Sequence, residues 1–200
     1  MSRTPVAPAK PHIRPEAVVI GVSAGGLKAL SAILPTLPAH YPLPVMVVIH
    51  LPPSGKSLVA ELFAEKCALT VVEAEDKEEL RAGTVYFAPP DYHMLVEQDR
   101  TLSLSSEEPV QFSRPSIDVL FESAADAYGP ALVGIILTGA NNDGAHGLKV
   151  IAEAGGIVLV QSPEHAFASA MPEAALEATP HAQPMELGEI SAYLIGCVTS

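Results

Sequence analysis

Short runs of β-branched and aliphatic residues alternate along this chain with stretches whose apolar positions recur every three or four residues. Val18–Ile20, Val45–Ile49, Ala131–Leu137 and Ile157–Val160 are apolar runs of the kind that form strands buried on both faces of a parallel sheet. Between them, Leu27, Leu30, Ile33 and Leu34 predict a helix that stops at Pro35, and Leu58, Leu62 and Phe63 predict one reaching to about Cys67. Ile117, Leu120, Phe121 and Ala124 give a third helix one apolar face, starting near Pro115 and Ser116. Leu148, Ile151 and Ala152 predict a fourth, ended by Gly155-Gly156. Leu69–Val72 and Val85–Ala88 read as shorter strands, and Pro172–Ala178 and Leu187–Ile195 as two final helices. His93–Glu97 and Thr101–Ser105 alternate in polarity around Gln98-Asp99-Arg100, which predicts a β-hairpin. Strands alternating with helices imply an α/β fold. The expected architecture is a doubly wound, mostly parallel sheet flanked by helices on both faces, with one antiparallel hairpin.

The remaining stretches carry little pattern. Met1–Pro15 holds four prolines and no apolar period, and is expected to be a disordered tail before one organised domain over 16–200. The acidic run from Glu73 to Glu79 reads as a solvated loop with no catalytic role.

Composition narrows the function. Two hundred residues at 48% apolar content suffice for one well-filled domain. A formal net charge of −12 speaks against nucleic-acid binding, which needs basic patches to neutralise phosphates. Cys67 and Cys197 stand far apart without metal-ligand or CxxC spacing, and read as reduced thiols of a cytoplasmic protein. His12, His40, His165 and His181 form no recognisable metal pair, so no metal is expected. No apolar run approaches the roughly 20 residues that span a bilayer, and the N-terminus lacks a signal-peptide core.

The stretch with most chemical content is Ala17–Leu30, AVVIGVSAGGLKAL, a strand, a glycine-rich turn and a helix. Its Gly21-x-Ser23-x-x-Gly26 spacing allows a phosphate cradle, although Ser23 stands where a dinucleotide fingerprint has its middle glycine. The same turn also reads as a nucleophile turn that presents Ser23 beside a helix N-terminus. Two further residues suited to acyl transfer follow strands: His50 closes Val45–Ile49, and Asp143 lies in the turn TGANNDG after Ala131–Leu137. In an open α/β sheet, ligands gather outside the carboxyl ends of the strands. A serine there needs a histidine base and a carboxylate that orients it. His93 and His146 are rival bases, and Asp91 and Asp118 rival orienting groups; spacing alone leaves the choice open.

Several longer motifs in register carry a resemblance: IGVSAGGLKAL, VVIHLPP, VYFAPPDYHM, RPSIDVLFESAA, LTGANNDGAHGL and EAGGIVLVQSPEHAFASAMPEAAL. From about Ala17 to Leu194 the chain resembles the catalytic domain of the chemotaxis protein-glutamate methylesterases (glutamine deamidases). The resemblance implies that Ser23 is the nucleophile, His50 the general base and acid, and Asp143 the orienting carboxylate. It implies oxyanion donors from the backbone around Ala24 and Ala140. His93, Met94 and Arg114 are expected to help shape the substrate groove. The implied reaction demethylates glutamate methyl esters on chemoreceptor helices or similar methylated proteins, and deamidates glutamines, without a cofactor.

Two departures stand out. The family often has threonine where this chain has Ala24, and methionine at Ala140. Backbone oxyanion donors would tolerate both changes, whereas a contributing threonine hydroxyl would leave this chain weaker. The family also commonly carries an N-terminal receiver domain, and here only Met1–Pro15 precedes the catalytic part. A stand-alone, monomeric form, or control by a separate regulatory protein, is the expectation. The alternative readings are a receptor-binding module with little catalysis, and a nucleotide-dependent enzyme. The latter lacks an acidic ribose partner near Leu37–Pro44.

Overall fold

The structure, a computed structural model, describes residues 13–50, 58–196 and 198. Most of the expected tail and Leu51-Pro52-Pro53 of the VVIHLPP motif fall outside those residues, as does Cys197. The predicted strands form as β1 (Ala17–Val22), β2 (Val45–Ile49), β3 (Thr70–Glu73), β4 (Thr84–Phe87), β7 (Leu132–Ile136) and β8 (Ile157–Gln161). With a two-residue edge strand β9 (Pro184–Met185), which the apolar pattern does not announce, they build a seven-stranded sheet of order β3-β4-β2-β1-β7-β8-β9. Every pairing in it is parallel. The hairpin β5 (His93–Val96) and β6 (Leu102–Ser105) forms a separate antiparallel sheet, with Met94 opposite Leu104.

All residues of β1, β2 and β7 are buried, and successive side chains serve opposite layers. Val18, Ile20 and Val22 face one core with α1 (Gly26–Ile33), α2 (Val59–Ala64) and α6 (Leu187–Gly196). Ala17 and Val19 face the other, with α3 (Ile117–Tyr128), α4 (Ala145–Glu153), α5 (Ala170–Ala178) and the hairpin. Truncating a fully buried residue such as Ile20 to alanine therefore costs about 2–5 kcal/mol. Three apolar positions counted toward helix faces lie at the surface instead. Leu27, Leu58 and Leu62 are exposed at 41%, 61% and 37%, because α1 and α2 each bury only the face turned to the sheet, through Leu30, Ile33 and Phe63.

The strand order decides where a site can form. From β1 the chain winds out through β2 toward β4 and β3, then returns to place β7 on the other side of β1. The loops after β1 and β7 thus leave the sheet in opposite senses and open a crevice at their carboxyl ends, the usual ligand position in such sheets.

Candidate active site

Ser23, His50 and the segment 138–144 occupy that crevice, at the ends of β1, β2 and β7. Backbone bonds fix these loops to one another. The His50 amide donates to Val22 O at 3.0 Å, and the Ser23 amide to Thr138 O at 2.9 Å. The Thr138 hydroxyl donates to Ala24 O at 2.8 Å. Gly25 supplies the left-handed residue (φ 82°) that lets α1 begin directly after the Ser23 turn.

His50 Nε2 lies 2.9 Å from Asp143 Oδ2, across 93 positions of sequence. Asp143 has no solvent exposure, and its carboxylate sits at the N-terminus of α3. Oδ2 also accepts from the Ile117 amide at 2.8 Å, while Oδ1 accepts from the Asp118 amide at 3.0 Å and the Ser116 hydroxyl at 2.9 Å. The first amides of a helix lack internal acceptors and favour a negative charge. Ser116, the N-cap residue, makes no capping bond to its own helix, and the carboxylate of Asp143 fills that role. Burial by itself raises the Asp143 carboxyl. The bonds from His50, Asp118 and Ile117, together with the His50 charge, outweigh it and hold the group below the usual carboxylate value. Gly144, at φ 92°, makes the turn that aims Asp143 inward, and a Cβ there would lie 2.5 Å from Ile117 Cγ2.

Asn141 completes the cluster. Its Oδ1 accepts from the Asp143 amide at 3.2 Å, and its Nδ2 faces His50 Nδ1 at 3.2 Å. Ser23 and His50 line two cavities at once. One, of about 330 Å³, continues to Asn141, Asp91, Phe112 and Arg114. The other, of about 410 Å³, is mostly apolar and walled by Leu27, Ile49 and Phe167. No hydrogen bond joins the Ser23 hydroxyl to His50 among the described residues. The amides of Ala24 and Ala140 also lack acceptors among them.

Residues 18–194 match the CheB methylesterase family. The chain belongs to that family. It is 48% identical over 180 residues to a putative protein-glutamate methylesterase/protein-glutamine glutaminase of Leptospira interrogans, covering 90% of this chain and 93% of that protein. A protein-glutamate methylesterase/protein-glutamine glutaminase of Archaeoglobus fulgidus is 42% identical over 163 residues, and there the match covers 47% of the relative. The crystal structure of the Thermotoga maritima CheB methylesterase catalytic domain superposes with a TM-score of 0.84 at 33% identity, over 91% of this chain and 98% of that one. The doubly wound architecture expected from the apolar pattern is thus the fold of the CheB catalytic domain.

Within this family fold, the rivals to His50 and Asp143 are engaged elsewhere. His93 is buried: its Nδ1 accepts from the Ser116 amide at 3.1 Å, so its Nε2 donates to Glu108 O at 3.1 Å. His146 is exposed beside Glu122. Asp118 accepts from the Gly147 amide at 2.7 Å and from Gln111 Nε2 at 2.8 Å; burial, then the charges of Asp143 and Glu122, push its carboxyl up. Asp91 lines the polar cavity, with no hydrogen bond to His50 among the described residues.

The expected groove residues divide. His93 and Met94 lie in the interior, because the hairpin packs against α3 and carries both side chains with it; neither lines a cavity at Ser23. Arg114 does line the polar cavity, with Nη1 donating at 3.0 Å to both Ser106 O and Glu107 O, so it braces the loop that forms the wall. Asn141 was not singled out from sequence, and Ser116 was read only as a helix start. The local signal for Asn141 is an asparagine two residues before a turn amide. That for Ser116 is a helix start whose free amides need an acceptor. No group of three or more His, Cys, Asp or Glu side chains among the described residues is placed to hold a metal.

Proposed function

We propose that this chain is a serine hydrolase that cleaves γ-glutamyl methyl esters on chemoreceptor-type helices, releases methanol, and deamidates glutamines at the same site. The observation that carries the reading is the His50–Asp143 contact at 2.9 Å, with Ser23 in the same cavity as His50. Asp143 accepts the hydrogen bond from the Nε2–H of His50, which leaves the Nδ1 lone pair as the base. Ser23 Oγ attacks the ester carbonyl carbon and its proton passes to Nδ1. The negative oxygen is held by the Ala24 amide, just before α1, and the Ala140 amide in the turn after β7. The tetrahedral adduct expels the methoxy group, which leaves as methanol with the proton from Nδ1. Water, deprotonated by the same nitrogen, then splits the acyl-enzyme into glutamate and free Ser23. Backbone donors do this work without the family's frequent threonine and methionine, so Ala24 and Ala140 are compatible with full turnover.

The name of the Leptospira relative supports the substrate class. We place the reaction in the cytoplasm, where Cys67 remains a free thiol. No helix among the described residues is long and apolar enough to cross a membrane. Regulation through a separate protein belongs to the same reading. One observation favours a second one, a receptor-binding module with little turnover: the Ser23 hydroxyl is not paired with its base. Resting active sites often tighten such bonds only when substrate binds, which keeps the hydrolase first.

Methanol release from a methylated receptor fragment separates the two. Ser23→Ala should lower the rate by at least about 10⁴ while preserving the melting curve. An undiminished rate in that variant reassigns the nucleophile, and no release by the parent protein leaves the binding module.

A further inference from the structure

Three bonds close a ring around His50. The Asp143 amide donates to Asn141 Oδ1 at 3.2 Å, which settles the orientation of the Asn141 carboxamide. Its Nδ2–H₂ therefore points at His50 Nδ1, 3.2 Å away, and donates to it. The opposite nitrogen, Nε2, donates to Asp143 Oδ2 at 2.9 Å. The ring is thus fixed as the Nε2–H tautomer, and its one in-plane lone pair, on Nδ1, is occupied by Asn141. A nucleophile needs that lone pair. The Ser23 hydroxyl, which lines the same cavity, is paired with His50 by no bond among the described residues.

We propose that Asn141 is a latch on the base: its carboxamide holds His50 in the productive tautomer but keeps the reactive nitrogen engaged until a ligand draws the carboxamide away. The inference rests on the hydrolase reading above and goes further, assigning an idle and an open state to that site. Geometry requires the two states. Once Nδ1 carries the proton from Ser23 it is a donor, and it cannot face the Asn141 N–H₂, also a donor. The carboxamide must therefore turn or withdraw during every turnover. Asn141 is half-buried on the wall of the 330 Å³ cavity, so a substrate carbonyl entering there offers its N–H₂ a replacement acceptor. The latch opens where substrate is seated and stays shut where the cavity holds only water. Asn141 acts through His50 and is a positioning residue.

The test uses a fluorophosphonate probe, which reports the base and nucleophile without a protein substrate. Ser23 Oγ forms a bond to phosphorus, the P–F bond breaks, fluoride leaves, and the hydroxyl proton passes to His50 Nδ1. Asn141→Ser keeps a short side-chain acceptor for the Asp143 amide but cannot reach Nδ1; Asn141→Gly removes the side chain entirely. Both variants should label about three- to tenfold faster than the parent, the worth of one hydrogen bond in water. A purely structural role would slow labelling instead. Equal or slower labelling in a variant that melts like the parent overturns the latch. A second measurement does not depend on variant folding: ¹⁵N NMR of the parent should show His50 protonated at Nε2 with a hydrogen-bonded, unprotonated Nδ1, and the Nδ1–H tautomer would overturn the proposal. Failure of the parent and both variants to label at all, with no methanol released, removes the hydrolase reading itself and the latch with it.

Discussion

The Asp143 carboxylate accepts the Ser116 hydroxyl at 2.9 Å, so a residue from the turn after β7 caps a helix whose N-cap lies 27 positions earlier. This one contact joins stability to chemistry. The same carboxylate satisfies the opening amides of α3 and orients His50.

Asp143→Asn should therefore injure both. An amide in that place presents N–H₂ to donors from Ser116, Asp118, Ile117 or His50, and no rotation of the group satisfies all of them. Loss of the buried carboxylate's bonds should cost about 1–3 kcal/mol in urea unfolding, and methanol release should drop about 10⁴-fold through loss of the His50 tautomer. Ser116→Ala, which removes one donor and leaves the charge, should cost about 1 kcal/mol and retain most turnover. Equal effects of the two substitutions would detach the carboxylate from the reaction.

The two buried carboxylates predict opposite pH dependences. Asp143 is held below its ordinary value, so its contribution is complete above an unfolded pKa of about 3.9 and is lost as pH falls through the folded value. Asp118 is pushed up, so between about 3.9 and its raised value the folded state binds more protons than the unfolded one, and stability falls as pH rises through that window. Urea unfolding at a series of pH values should show Asp118→Asn gaining on the parent as pH rises through the window and running parallel above it. Asp143→Asn should lose least, relative to the parent, at the acid end. A pH-independent difference for either variant contradicts the assigned shift.

Phe112 is fully exposed at the mouth of the polar cavity, held out by a two-residue turn in which Gln111 and Phe112 both adopt positive φ, 48° and 65°. Val110 and Ser113 close the turn with bonds of 3.1 and 2.8 Å. An aromatic side chain kept in water at a strained backbone position is suited to anchoring a protein substrate. Phe112→Ala should raise KM for a methylated receptor fragment about tenfold with kcat unchanged. Hydrolysis of a small ester such as p-nitrophenyl acetate should stay at the parent rate. An unaltered KM removes Phe112 from recognition.

Much of this molecule was legible along the chain, because its elements are written in local periods. The buried strands are continuous apolar runs, and β2 begins and ends where its run does. The hairpin forms at the two predicted segments, and α3 starts after the predicted Ser116. A residue in the turn after a buried parallel strand emerges at the sheet's carboxyl edge, so Ser23 and His50, directly after β1 and β2, and Asp143, in the turn after β7, could be placed at one rim from sequence.

Contacts across the rim were decided by tertiary structure alone. The order β3-β4-β2-β1-β7-β8-β9 brings the ends of β2 and β7 to either side of β1, and only that order lets His50 meet a carboxylate 93 residues away. Packing of the hairpin against α3 took His93 and Met94 into the interior, although alternation alone leaves either face open to the solvent. The hydrogen bond from Asn141 to His50 depends on a turn shaped by Gly144 and on the seat of Asp143 over α3. Periodicity reports how one segment divides between core and water. A hydrogen bond between distant segments also depends on their register and approach, to within a few tenths of an ångström, and no local pattern encodes that.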